Sequence, residues 1–210
     1  MGLLKGLPPL LTADLLYVLR SMGHGDKLCI CDCNFPASEV ATKTTSGEKI
    51  ELACDLPTAI DAICQLLPLD FFVDVPAMHM APQAGVALPT LGKEVIDASK
   101  AAIQRHAEGI KVEPCERFDF YEEARSCFAV VQCLERRPYG NVVLTKGVVG
   151  PDGKDLKPEP AGSELPAKQP HGRPSEGKEP EPAGSEPPAK KPRGRPPKGK
   201  TWNDNTGEYE

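Results

Sequence analysis

The chain has 210 residues, is 40% hydrophobic and 26% charged, and carries a net charge of −5. Residues 1–150 hold all eight cysteines and 14 Lys/Arg against 19 Asp/Glu, whereas residues 151–210 hold 13 of the 23 prolines and 11 charges of each sign. One folded domain over 1–150 is therefore expected. Its acidic surface argues against non-specific nucleic-acid binding, and the tail over 151–210 is too poor in apolar residues to build a core.

The opening stretch, MGLLKGLPPLL, is too short and too broken by proline for a signal sequence, and no apolar run reaches the ~18 residues of a membrane helix. A soluble, intracellular, cytoplasmic chain is the expectation. Met1-Gly2 alone suggests myristoylation, but Gly6 stands where that motif prefers Ser or Thr. Thr12 suits an N-cap and Asp14 the first turn, and Leu15, Leu16, Leu19 and Met22 recur at helical spacing, which predicts a helix of about three turns ending at Gly23. Residues 27–33 then read as a strand with Leu28, Ile30 and Asp32 on one face and Cys29, Cys31 and Cys33 on the other. Asp55 followed by Pro57 opens a second helix with Ile60, Ile63, Cys64 and Leu67 on one side, ended by Pro68. Residues 71–75 form a short strand candidate, residues 92–107 a helix and residues 121–126 a shorter one. Residues 128–134 and 142–149 read as buried strands joined by the turn ERRPYGN. Helices alternating with buried strands give an α/β layered domain.

The eight cysteines contain no CxxC pair, so they are read as small buried hydrophobes in a reducing compartment, with no zinc site. His24 sits between Gly23 and Gly25, where its imidazole is unshielded and can donate or accept a proton near neutral pH; equally, it can cap the carbonyls of the helix it follows. Asp32 is the odd polar residue on an apolar strand face and lies at the carboxyl end, where α/β sheets bind ligands; it can also cap its own turn. Asp32 and Asn34 together suit hydroxyl groups. Asp70, after LLPL, reads as the N-cap or turn residue that ends the second helix. Tyr121 taken alone reads as a core aromatic with its hydroxyl satisfied. In YGN, Gly140 frees the backbone and exposes Tyr139 and Asn141.

The stretches KGLPPLLTADLLYVLRSMGHGD, CDCNFPA, LLPLD, ERFDFYEEARSCFAVV and YGNVVLTKGVV resemble the fucose mutarotases of the D-ribose pyranase and L-fucose mutarotase family over residues 3–149. The resemblance implies a three-layer α/β/α domain that assembles into dimers or up to decamer rings. It implies an isomerase that interconverts the α and β anomers of L-fucose with no metal and no cofactor. By position His24 matches the family's proton donor, and Asp32, Asp70, Met80, Tyr121, Tyr139 and Asn141 match its sugar-contacting or catalytic positions. Arg117 matches a basic residue used at the site in bacterial members. Around residues 75–95 the match is looser; Met80 rather than Met78 takes the methionine position, and His79 between them is read as a surface loop residue. D-ribose pyranase activity and a DNA-associated scaffold are the alternatives.

In the tail, residues 159–178 recur as residues 181–200 with 15 of 20 positions identical, a tandem repeat whose composition predicts disorder. The second copy contains PRGRP, which resembles an AT-hook, with Arg193 and Arg195 for the A·T minor groove; the first copy has lost it. A weak DNA contact, a nuclear localisation signal and a plain solvated linker are all compatible with it.

Overall fold

The computed structural model describes residues 2–158 together with two short strands near the end of the chain. The tandem repeat, its expected disorder and the Arg193 and Arg195 motif lie outside the described residues.

Five helices and six strands make the first unit: α1 (Ala13–Ser21), β1 (Lys27–Cys31), α2 (Ala37–Ala41), β2 (Lys49–Leu52), α3 (Leu56–Cys64), β3 (Ala77–Ala81), α4 (Thr90–His106), β4 (Val112–Glu116), α5 (Arg117–Arg125), β5 (Ala129–Cys133) and β6 (Val142–Thr145). The sheet order is β2-β5-β1-β6-β3-β4. Strand β6 runs antiparallel to both neighbours, and every other pairing is parallel. All strands but β6 thus end at one edge of the sheet, and β6 begins there.

Strand alternation divides the core in two. Leu28 and Ile30 of β1 pack with Leu15, Ile60 and Ile103 of α1, α3 and α4, while Cys29 and Cys31 pack with Val40 and Phe120 of α2 and α5. The result is a helix layer on each face of the sheet, the three-layer arrangement expected. Its local starts follow the sequence: Thr12 Oγ1 accepts from Leu15 N at 3.2 Å, and an Asp55 carboxylate oxygen accepts from Thr58 N at 3.0 Å.

Several expectations are corrected. Residues 71–75 are a turn, and the strand lies at Ala77–Ala81. The aromatic and β-branched side chains that suggested a strand, Phe72, Val73 and Val75, are exposed, because Asp70 accepts from Phe72 N at 2.9 Å and bends the chain there. His79 is not a surface loop residue but is buried on β3, its Nδ1 donating to the Met80 carbonyl; burial holds its pKa below the ordinary histidine value, so it is kept neutral. Helix α2 and strand β2, too short for a periodic signal, complete the sheet edge and one layer. Cys33 is exposed and Cys54 and Cys115 are half-buried, so only the other five cysteines behave as buried hydrophobes. The chain continues past Gly150 in a turn, with Gly150 N donating to Lys154 O and Leu156 N to Val148 O.

The second unit is described by β7 (Trp202–Asn203) and β8 (Glu208–Tyr209), which pair antiparallel.

Candidate active site

The edge where the parallel strands end carries a cavity of about 260 Å³ lined by Asp32, Asn34, Phe35, Met80, Arg117, Tyr121, Pro138, Tyr139 and Asn141. Seven of the residues singled out from sequence meet here, Asn34 among them, brought together by four elements. Asp32 leaves β1, Met80 lies on β3, Arg117 and Tyr121 open α5, and Tyr139 and Asn141 lead into β6.

Asn141 ties these elements together. Its Oδ1 accepts from Asp32 N at 3.0 Å, and its Nδ2 donates to Asp32 Oδ2 at 2.9 Å and faces Met80 Sδ at 3.6 Å. The other Asp32 oxygen accepts from Asn34 N at 2.9 Å, so the turn-capping role and the site role coexist. Burial pushes the Asp32 carboxyl above the ordinary aspartate value, with the hydrogen bonds from Asn34, Asn141 and Phe35 opposing that shift. A carboxylate of this kind takes up a proton more readily than a solvated one. Met80, rather than Met78, faces the cavity.

Across the cavity Arg117 Nε donates to the Tyr121 hydroxyl oxygen at 3.0 Å, and the guanidinium lies 5.6 Å from the centre of the same ring. Because arginine only donates, the phenolic proton of Tyr121 remains free to point at a ligand. The ring is seated on Phe35 at a centroid distance of 5.5 Å. Phe35 and Pro138 are apolar walls that the sequence reading did not single out as site residues, although the first lies in CDCNFPA and the second in the turn ERRPYGN.

His24 and Asp70 stand elsewhere. His24 Nε2 lies 2.9 Å from Asp70 Oδ2, and the second Asp70 oxygen accepts from Phe72 N. Asp70 is 1% exposed while the imidazole is 53% exposed, so the carboxylate fixes one ring nitrogen and leaves Nδ1 facing outward. The carbonyls at the end of α1 are not held by His24. Lys146 Nζ takes them, donating to Leu19 O at 2.9 Å and Met22 O at 2.5 Å. His24 precedes β1 and Asp32 follows it, so at ~3.3 Å per strand residue roughly 16 Å of strand separates the His24–Asp70 pair from the cavity. One chain does not bring them together.

Glu135, under the turn that carries Tyr139, is 2% exposed. Burial alone would raise its pKa, but hydrogen bonds from Arg137, its own turn and Leu56 outweigh that and bring it from 4.5 down to about 2. Because the folded value lies below the unfolded one, the stabilisation is complete above about pH 4.5 and is lost as pH falls toward 2; it amounts to about 3 kcal/mol. A series of thermal melts from pH 6 to pH 2 is expected to show a steep fall below pH 4.5 that is blunted in Glu135→Gln.

A family model described as the RbsD / FucU transport protein family matches residues 5–149. The chain belongs to the RbsD/FucU family. Among its relatives, a fucose mutarotase of Danio rerio is 38% identical over 156 residues, covering 72% of this chain and 98% of that protein. One of Homo sapiens is 38% identical over 154 residues, covering 70% and 94%. A solved fucose mutarotase of Streptococcus pneumoniae in complex with L-fucose aligns with a TM-score of 0.61 at 30% identity, over 70% of this chain and all of that one. The RbsD/FucU match spans both the cavity and the His24–Asp70 pair.

Proposed function

We propose that this chain is an L-fucose mutarotase, an isomerase that interconverts the α and β anomers. The observation that carries the reading is the cavity at the strand ends, where a buried carboxylate, a carboxamide, a guanidinium and two phenols converge in a space small enough for one monosaccharide. The relatives named fucose mutarotase support it, being aligned along the whole folded part.

Mutarotation breaks the bond between the anomeric carbon and the ring oxygen. One group gives a proton to that oxygen while another takes the proton of the anomeric hydroxyl; the resulting aldehyde rotates about its bond to the next carbon and recloses on the other face, returning both protons. Only a placed acid and a placed base are needed, and such groups contribute roughly 10²–10⁴ in rate. Asp32 and Asn141 are assigned the sugar hydroxyls, Arg117 and Tyr121 a donor pair, Tyr139 a second phenol, and Met80 with Phe35 the apolar side.

His24 is assigned the other proton, with Asp70 orienting its ring. Since roughly 16 Å of strand lies between that pair and the cavity, the pair serves the sugar held by a neighbouring copy of the chain, which makes a homo-oligomer part of the proposal. The half-exposed imidazole is free to do so. Eight cysteines without a disulfide suit a reducing, cytoplasmic setting. A contact of Arg193 and Arg195 with A·T-rich DNA, and the nuclear location it would accompany, rests on the PRGRP residues alone and has no part in this chemistry.

Saturation transfer between the α and β anomeric protons of L-fucose, with and without catalytic amounts of protein, tests the reading. Faster exchange for L-fucose than for D-ribose is the expected result. No acceleration for L-fucose would overturn it, and acceleration for D-ribose alone would move the assignment to pyranase activity.

A further inference from the structure

Glu135 is a buried carboxylate that touches neither the cavity nor any proton in the chemistry above, yet it accepts more hydrogen bonds than any other side chain near the site. Its Oε1 accepts from Arg136 N at 3.0 Å, Arg137 N at 2.9 Å and Arg137 Nε at 2.8 Å. Its Oε2 accepts from Arg137 Nη2 at 2.7 Å and from Leu56 N, at the start of α3, at 3.3 Å. The backbone thus winds around one carboxylate before reaching Pro138, Tyr139 and Asn141.

Two features show what this winding holds. Tyr139 has a φ of +64°, the left-handed region, and is the one non-glycine among the described residues there. A side chain bearing a Cβ adopts that conformation where its surroundings leave no alternative. Gly140 next to it closes onto Glu135 itself, since a Cβ at Gly140 would stand 2.7 Å from Glu135 Cγ and 3.2 Å from the Arg137 carbonyl oxygen. The main chain of Glu135 braces the opposite rim, its carbonyl accepting from Cys33 N at 3.0 Å, between Asp32 and Asn34.

We propose that Glu135, clamped by Arg137, is a positioning residue for mutarotation: it fixes the left-handed backbone of Tyr139 and so aims that phenol into the sugar cavity. The inference rests on the mutarotase reading, because its readout is the part Tyr139 plays in anomer exchange. Misplacement of a catalytic group by about 1 Å can cost on the order of a hundredfold, so a substantial loss is expected from a residue that never meets the substrate.

The test is a double-mutant cycle on L-fucose exchange with Glu135→Gln, Tyr139→Phe and the pair, with circular dichroism and melting followed on each variant. Glu135→Gln is expected to lower the exchange rate about tenfold or more in the otherwise unaltered chain and less than about twofold where Tyr139 is already Phe, because its effect passes through that hydroxyl. The same fold loss in both backgrounds would mean a general structural role and overturn the inference, as would unchanged exchange in Glu135→Gln. Should Glu135→Gln fail to fold, Arg137→Gln removes the side-chain clamp and leaves the backbone bonds to the carboxylate; its loss must show the same dependence on Tyr139. Full activity in Tyr139→Phe overturns the inference while leaving the mutarotase reading to the wild-type rate, which keeps the two failures distinct.

Discussion

Replacing His24 by glutamine is expected to lower L-fucose exchange by roughly 10²–10⁴ while leaving the fold unaltered. The glutamine amide can still donate to Asp70 Oδ2, so the buried carboxylate keeps a partner, and the side chain it replaces is half exposed. What the amide lacks is a proton that it can give and take back near neutral pH. The loss therefore falls on the rate and not on the melting temperature, and both are read on the same sample. The variant also tests the shared site. Subunits carrying His24→Gln keep an intact cavity, and subunits carrying Tyr121→Phe keep an intact His24–Asp70 pair. If the pair serves a neighbour's cavity, unfolding and refolding the two together restores about a quarter of the wild-type rate, the fraction of sites that join one good half from each. If both halves belonged to one chain, the mixture would stay as inactive as its parts.

The sequence carried much of this architecture wherever one side of an element is buried against a single layer. The spacing of Leu15, Leu19 and Met22 marked α1, and the alternation of Leu28 and Ile30 with Cys29 and Cys31 divided β1 between the two cores. Asp32 was legible as a site residue because it breaks an apolar face at a strand end, and the structure places it on the cavity. The failures have a common cause. Residues 71–75 look like a strand by residue type, while the true strand, AMHMA, is built of residues with little β preference and is stabilised by its neighbours β4 and β6. His79 was misread for the same reason, being polar yet placed by β3 against the core. Glu135 was invisible because an acid followed by two arginines reads as a solvated turn; only the fold turns that carboxylate inward. Seven residues lie between His24 and Asp32 in sequence, and although the strand between them was legible, its consequence, that it holds the two apart, was not drawn from the motif.

Gly147→Ala is expected to be the most destabilising small substitution in the His24–Asp70 region, because the obstacle is backbone. A Cβ at this position would fall on the Leu69 carbonyl group, 2.6 Å from its carbon and 2.9 Å from the Asp70 Cα. Gly147 N also donates to Pro68 O at 2.8 Å, so the two segments are tied at the very point where the methyl would push them apart. Neither segment can yield cheaply. Leu69 is buried and bridged to Lys146, whose ammonium holds the end of α1, and Asp70 N donates to Thr145 O at the end of β6. A loss of about 3–5 kcal/mol is expected, which lowers the melting temperature by roughly 10 °C for a domain of this size. The displacement also acts on chemistry, since the residue forced aside carries the carboxylate that orients His24. Exchange measured well below the melting transition should therefore fall in Gly147→Ala even though no residue that touches the sugar has changed, and little of that loss should remain when His24 is already Gln. Wild-type melting would mean that the 68–70 segment is free to move, and the buried Asp70 could not then be the fixed support that the His24 imidazole requires.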